Sequence, residues 1–403
     1  MNRYLIIADD FTGANDTGVQ LTKREIETHV VLDGKNINNK DISYVLDTES
    51  RALSEEQAYE RLKNQLDGIF NNHFDLVYKK IDSTIRGNIT SELKALDEEF
   101  NSDLIIFAPA FPDIGRVTKD GIHFVNGKRI TETEFSRDPL KPVEEDNIQK
   151  LLELGLNERV IHHNIDEIRD NNIVFEGGRV HTFDAEDNLD LEKIVIFAMN
   201  TDKKILWVGS AGLANTILKV FKPFKPALAI VGSLSEVSRN QIKYAEDKGV
   251  KVLKIDIADI IKNKSMGEYV NQAAEILNRG NDLIVTSSYD EGDYEETIKL
   301  SKELSMTNAE ISGLVQDILG EICVETINQS DISGIFVTGG DTAMGFLKAS
   351  KSEGSQIIEE IMTGIPLMKL VGGNFNGYKM VSKAGAFGNE DALYFSISKI
   401  KEV

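Results

Sequence analysis

Three cations, one carboxylate and two hydroxyls crowd into ten residues, Lys79-Lys80-Ile81-Asp82-Ser83-Thr84-Ile85-Arg86-Gly87-Asn88. Lys80 and Arg86 suit an anion, and Asp82 suits an acidic hydroxyl or a metal. An apolar run (Phe74, Leu76, Val77, Tyr78) precedes the stretch and reads as a buried strand, while Leu93, Leu96 and Phe100 follow at helical spacing. Strand-to-helix loops are where open α/β sheets bind ligands, because the strand's carboxyl end meets the positive N-terminus of the next helix. A polar loop with solvated charges is the plainer reading of the same residues.

A second loop of this kind follows the apolar residues 4–8: Asp9-Asp10-Phe11-Thr12-Gly13-Ala14-Asn15-Asp16, with a helix expected to about Arg24. Adjacent carboxylates repel, so Asp9 and Asp10 need a cation, metal or hydroxyl to share, whereas a helix cap needs only one of them. Residues 44–46 form another strand and lead into Asp47-Thr48-Glu49-Ser50-Arg51 and a helix with a capping box at Ser54 and Gln57. Arg51 can clamp a carboxylate through its planar fork, or it can pair with Glu49 or Glu55. A fourth strand, 104–107, ends in Ala108-Pro109-Ala110-Phe111-Pro112. If the four strands run parallel, all these loops share one edge of the sheet.

The later half of the chain carries a different device. Gly339-Gly340-Asp341-Thr342 lies between a buried strand and a helix, Gly385-Ala386-Phe387-Gly388-Asn389 repeats the arrangement, and Gly232-Ser233 is a weaker third case. Without Cβ atoms, backbone amides approach a phosphate closely, and a helix N-terminus adds favourable partial charge. One such loop is a common turn, but three in one half point to a nucleotide. GxxxxGK[ST] is absent and no GxGxxG follows a strand, which excludes a Walker-type or dinucleotide fingerprint.

The elements that must position these loops alternate strand and helix, so each half reads as α/β with a mainly parallel sheet flanked by helices. Strands are expected at 29–32, 159–162, 179–183, 205–208, 228–231, 252–255, 283–285, 335–337, 366–370 and 378–382. Helices are expected near 144–154, 188–199 and 309–328, with a further one from Glu236 and a final one opened by 385–391. Residues 111–147 are long and irregular and include a hairpin with an Asn126-Gly127 turn; such an excursion usually forms a lid or an oligomer contact. Phe221-Lys222-Pro223-Phe224-Lys225-Pro226 reads as a linker, dividing residues 1–224 from 225–403.

The 403 residues carry a net charge of −21, which argues against nucleic acid and against an anionic membrane surface. An anionic small molecule remains compatible if the Lys79, Lys80 and Arg86 cluster overrides the global field locally. A single cysteine, Cys323, excludes a disulfide framework, and no apolar run is long enough to span a bilayer. A soluble cytoplasmic protein is expected.

At its loops the chain resembles the four-carbon acid sugar kinase family. Ala8-Asp9-Asp10-Phe11-Thr12-Gly13-Ala14 resembles the family's first signature, residues 80–88 its second and Glu134-Phe135-Ser136-Arg137-Asp138-Pro139 its third. Gly209-Ser210-Ala211-Gly212-Leu213, Gly232-Ser233-Leu234-Ser235, residues 339–342 and residues 383–389 continue the match in order. The resemblance implies a substrate domain followed by an ATP domain, with the active site in the cleft between them. It also implies ATP-dependent phosphorylation of the 4-hydroxyl of D-threonate or D-erythronate. Asp9, Asp10, Arg51, Lys80, Ile81, Asp82 and Ser83 would hold the acid. Ser233, Gly339, Gly340, Asp341, Thr342, Gly385, Gly388 and Asn389 would hold ATP, with Mg2+ bridging the phosphates through Asp341. Asp10 or Asp82 would accept the hydroxyl proton while Lys80 and Arg86 neutralise developing charge. The 3-oxo-tetronate branch carries a Cys-Ser-Thr-Phe-Asp-type second motif where this chain has Lys-Ile-Asp-Ser-Thr-Ile-Arg. A kinase for 3-oxo-tetronate, glycerate or another hydroxy acid, and a regulator that binds an acid sugar without chemistry, are the alternatives. A homodimer built on residues 111–147 is a further expectation.

Overall fold

The computed structural model describes residues 3–263, 266–290 and 292–402. The chain divides into two compact units, residues 1–223 and 224–403. In the first unit the strands are β1 (Tyr4–Ala8), β2 (Thr28–Val31), β3 (Ser43–Asp47), β4 (Leu76–Lys80), β5 (Leu104–Ala108), β6 (Arg116–Lys119), β7 (Ile122–Val125), β8 (Lys128–Arg129), β9 (Val160–His163), β10 (Val180–Phe183) and β11 (Ile205–Gly209). Eight of them form a sheet in the order β2-β3-β1-β4-β11-β5-β10-β9, and every pairing in it is parallel. β1, β3, β4 and β5 are buried along their whole length, as a parallel sheet with helices on both faces demands. Two apolar cores lie on its two faces, one containing Leu5, Ile7, Leu93 and Phe107, the other Tyr4, Ile6, Leu191 and Trp207.

Register decides which loops can meet. Ala8 lies opposite both Asp47 and Lys80, Lys80 opposite Gly209, and Gly209 opposite Ala108. Five strands therefore end at one level, and the loops that follow them emerge side by side. Winding reverses between β1 and β4: the chain goes from β1 outward through β2 and β3, then crosses to β4 on the other side. Such a switch point opens a crevice at the carboxyl ends of the strands.

The second unit contains β12 (Ala227–Val231), β13 (Lys251–Lys254), β14 (Leu283–Thr286), β15 (Gly334–Thr338), β16 (Gly354–Met362), β17 (Ile365–Val371) and β18 (Lys379–Lys383). They form one sheet in the order β13-β14-β12-β15-β18-β17-β16, parallel except for the last two pairings. Its switch point, between β12 and β15, repeats that of the first unit. Val231, Thr338 and Lys383 end at one level, which brings together the loops that follow them.

The structure differs from expectation at the start of one helix and in one added strand. The helix expected near 144–154 spans Ile148–Leu156, because the Asn147 side chain caps it and Asp146 is drawn into the hairpin through His123. The last helix spans Ala392–Glu402 and follows directly on the glycine segment 385–391, as expected; carbonyls of that segment are bound by side chains. The antiparallel edge strand β16 has no counterpart among the expected strands. Its residues are mostly exposed, with Ile357 and Ile358 both facing outward, so it lacks the alternation that marks a half-buried strand.

Candidate active site

Asp10 has extended backbone (φ −147°, ψ 153°) and caps the helix Phe11–Thr22, accepting the Gly13 amide at 3.2 Å. Asp9 is nearly buried beside it. Capping and charge sharing are alternatives for this pair on sequence grounds, yet both occur. The Arg51 guanidinium binds Asp9 through Nε and Nη2 at 2.7 and 2.9 Å, and Asp10 through Nη1 and Nη2 at 3.0 and 2.8 Å. Burial favours the neutral form of Arg51, but the hydrogen bonds and charge of Asp9 outweigh it and hold the guanidinium firmly protonated. Arg51 therefore pairs with neither Glu49 nor Glu55. Its fork neutralises two carboxylates that could not otherwise sit together, so it is not a vacant clamp for a ligand.

Helix Ile89–Phe100 fixes the Arg51 loop. Asn88 Nδ2 donates to the carbonyls of Ser50 and Leu53 at 2.9 and 3.0 Å, and Ser50 Oγ donates to Glu92 at 2.6 Å. Glu92 in turn pairs with Lys79 at 2.7 Å, both side chains buried. Burial pushes the Glu92 carboxyl up, against the pull of the Lys79 charge. The sequence puts Lys79 in the cationic cluster, and the structure overturns this. Successive side chains of a strand face opposite sides of the sheet, so only one of two adjacent lysines can face the crevice. Lys79 braces the Arg51 loop from beneath, while Lys80 faces Asp10.

Lys80 Nζ donates to the Ile81 carbonyl at 3.1 Å and lies in the field of Asp9, Asp82 and Asp10. Burial lowers its proton affinity more than those carboxylates restore it. Gly13 is required beside it: a Cβ there would lie 2.5 Å from Asp10 Oδ1 and 3.2 Å from Lys80 Nζ. Ile81, expected to touch substrate, buries its side chain in the core, so only its backbone faces the loop.

Asp82 Oδ2 accepts hydrogen bonds from Arg86 Nε at 2.6 Å and from Thr84 Oγ1. Burial would raise this carboxyl, but Arg86 and Thr84 overcome it and hold it below the usual range. Arg86 also reaches Asp138 at 2.9 Å and lies 5.3 Å from the Phe135 ring centre. Between them Ile85 has φ 48°, an unfavourable conformation for a β-branched residue that the surrounding contacts must hold in place. Buried His123 supplies one such contact: its Nε2 meets the Ser83 carbonyl at 2.9 Å and its Nδ1 meets Thr118 Oγ1 at 3.2 Å. Burial lowers its pKa to about 4, so the ring is neutral, with Nε2–H donating. Lys141 binds the Asn88 side chain at 2.6 Å. Residues 111–147 thus form a packed brace behind the 82–86 loop. Glu92, His123, Asp138 and Lys141 escape residue-type reasoning because their partners are dozens of positions away; only the third signature, 134–139, points there.

Asp10, Thr12, Gly13, Asp16, Arg51, Lys80, Asp82, Ser83 and Arg86 line a cavity of about 400 Å3, closed by Phe111, Ile114 and Ala211. Of the acid-site residues named from sequence, only Asp9 and Ile81 lie outside its wall, Asp9 being screened behind Arg51. Asp47, at the end of β3, is buried with Oδ2 unpartnered, and burial pushes it up to about 6.

The second unit's edge is built of backbone. Gly339 has φ 101°, and its amide donates to the Lys383 carbonyl at 2.9 Å. A Cβ on Gly232 would lie 2.2 Å from Thr342 Oγ1, and one on Gly385 2.4 Å from Ser233 Oγ, so the three loops pack together only without side chains. A Cβ on Gly340 would meet open space. Thr342 is buried against Gly232, whereas Asp341 and Asn389 are exposed and Gly388 has φ 79°. Among the described residues no cluster of His, Cys, Asp and Glu is arranged to hold a metal by itself. Asp341 is exposed on the 339–342 loop and could offer a single carboxylate to Mg2+, an ion commonly bound through one or two carboxylates.

The first unit thus has a charged cavity and the second an edge lined by glycine backbone. Comparison with known proteins agrees. Residues 4–217 match a family described as a sugar-binding N-terminal domain, and residues 228–393 one described as a nucleotide-binding C-terminal domain. A D-threonate kinase of Salmonella typhimurium is 33% identical over 98% of both chains. A D-erythronate kinase of Heliobacterium modesticaldum is 26% identical, covering 97% of this chain and 95% of its own. A crystal structure from Bordetella bronchiseptica, titled a domain of unknown function with bound citrate as a domain-swapped dimer, aligns with TM-score 0.71 and 25% identity. That alignment covers 100% of this chain and 98% of the other. The protein is a phosphotransferase that acts on an alcohol with a nucleotide as its second substrate. It belongs to the four-carbon acid sugar kinase family.

Proposed function

We propose that the protein transfers the γ-phosphate of ATP to the 4-hydroxyl of a four-carbon sugar acid, D-threonate or D-erythronate. The observation that carries this reading is the cavity of the first unit, which sets Lys80 and Arg86 among Asp10 and Asp82 in a space sized for such an acid. The citrate in the Bordetella bronchiseptica structure is also a small hydroxy acid, which supports the same ligand class.

Lys80 and Arg86 counter the acid's carboxylate and the charge that develops on the transferring group, in a site where buried charges act strongly. Asp10 or Asp82 takes the proton of the attacking hydroxyl, a contribution of roughly 10²–10⁴-fold. Arg51 holds the side chains of Asp9 and Asp10 in place through four hydrogen bonds. The loops 232–233, 339–342 and 385–389 hold the nucleotide by backbone amides, with Thr342 shaping the first two. Mg2+ held by Asp341 would neutralise phosphate charge.

The test measures ADP formation with D-threonate, D-erythronate, L-threonate, the 3-oxo-tetronate and glycerate, each with ATP and Mg2+. Turnover should be fastest with one of the two D-acids. Fastest turnover with the 3-oxo acid or with glycerate would replace the substrate assignment. ATP binding without turnover of any acid would favour a regulator.

A further inference from the structure

Lys383 closes β18 and is 3% exposed. Its Nζ donates to the carbonyls of Ala384, Gly385 and Phe387, each at 3.0 Å. Ser235 and Ser238 hydroxyls also donate to the Gly385 carbonyl, at 2.8 and 2.9 Å. Gln241, fully buried on the helix Glu236–Asp247, donates to the carbonyls of Phe387, Gly388 and Asn389 at 3.1, 3.3 and 2.7 Å. Five carbonyls of one short loop are thus drawn to one side. In a trans peptide the N–H points opposite to the C=O, and no peptide here is cis, so the amides that follow these carbonyls turn the other way. Amides aligned like this form an anion-binding concavity.

The ammonium that gathers the carbonyls is itself uncompensated. The elements packed around it carry Glu236 at the start of the adjacent helix, Asp341 beyond β15, and Glu390 and Asp391 after the loop. None of them pairs with it, and burial lowers its pKa to about 8. A buried cation without a counter-ion is costly unless an anion arrives.

We propose that Lys383 is a positioning residue of the nucleotide site: it holds the 384–389 loop with its amides outward, and a bound polyphosphate supplies the negative charge this ammonium lacks. The proposal rests on the reading of the second unit's loops as the nucleotide site. Nucleotide binding then favours protonated Lys383. Affinity should fall as pH rises above the pKa of the free protein, with one proton taken up on binding in that range.

The experiment is calorimetric titration of the full chain with ATP and Mg2+ between about pH 7.5 and 9.5, where the phosphates, with a second pKa of about 6, no longer titrate. The wild type should lose about tenfold in affinity across this range and take up a proton near about pH 8.5. Lys383→Met should bind ATP about tenfold more weakly at the lower pH and lose the pH slope, while leaving binding of the acid unchanged. If Lys383→Met does not fold, the wild-type slope alone decides. A flat wild-type profile, or a Lys383→Met variant within about twofold of wild type at the lower pH, overturns this proposal alone. A wild type that binds no ATP at any pH overturns the nucleotide reading of these loops as well.

Discussion

The two units share a winding plan, with a reversal beside the first strand of each, and they equip the resulting edges in opposite ways. In the first, Lys80 sits among Asp9, Asp10 and Asp82, with Arg51 and Arg86 completing an interlocked set of charges. In the second, Lys383 touches only carbonyls. A small acid with several hydroxyls needs directional partners at fixed points, which side chains supply at the cost of bringing charges together. A polyphosphate needs many converging donors and close approach, which backbone amides supply once side chains are removed. Under the proposed function, one topology serves two ligands, depending on whether its loops are rich in charge or in glycine.

The comparison breaks most directly at the carboxylates. Asp10→Asn and Asp82→Asn, assayed for kcat, should separate the two candidates, the general base losing about 10²–10⁴-fold. A loss below about tenfold in both variants would mean that neither is the base, and the charged edge would then serve binding alone.

Glu92→Gln tests whether the charged edge depends on its buried brace. It leaves the buried Lys79 ammonium without its counter-charge, only the Lys80 carbonyl remaining to accept from it, which should cost about 3–5 kcal/mol. The melting temperature of the first unit should drop by roughly 10 °C. A change of under about 2 °C would show that the pair does not hold the Arg51 loop.

Acid should separate the units. All six histidines lie in the first unit, and burial lowers His123, His163 and His181 to about 4. These rings stay neutral in the folded state and protonate near about 6.5 when unfolded, so their stabilisation is complete above that value and is lost as pH falls toward about 4. The first unit should lose at least about 2 kcal/mol over that interval. Trp207, the sole tryptophan and a buried one, reports on this unit by fluorescence. Its emission should shift before the far-UV circular dichroism of the whole chain is lost; coincident transitions would contradict the difference.

The smallest effect belongs to the backbone edge. Gly340→Ala places its Cβ in open space, so stability should change by less than about 0.5 kcal/mol. The nucleotide should nonetheless bind about tenfold more weakly, because close approach of backbone is what the glycine permits. Unchanged nucleotide KM would remove Gly340 from the binding surface.

Much of this is legible in the sequence because it is local. The buried runs 4–8, 76–78 and 104–108 are apolar and lead into polar or rigid loops. The Ser54–Gln57 capping box and the Asn126-Gly127 turn form within a few residues of themselves. The loops that carry chemistry announce themselves by charge or glycine content alone.

What the chain could not show in one dimension is which partner each charge takes. Lys79 and Lys80 are equivalent as text, yet pleating sends one to Glu92 in the core and the other to Asp10 in the cavity. Arg51 has nearby glutamates, but register places Asp9 and Asp10, about forty positions away, against its fork. His123, Asp138, Ser238 and Gln241 acquire their roles from elements folded against loops distant in sequence. Amino-acid order determined the loops and their chemical character, since strand burial and turn propensity depend on neighbours along the chain. Tertiary structure decided the pairings, since a Coulombic or hydrogen-bonding partner is selected by distance in space.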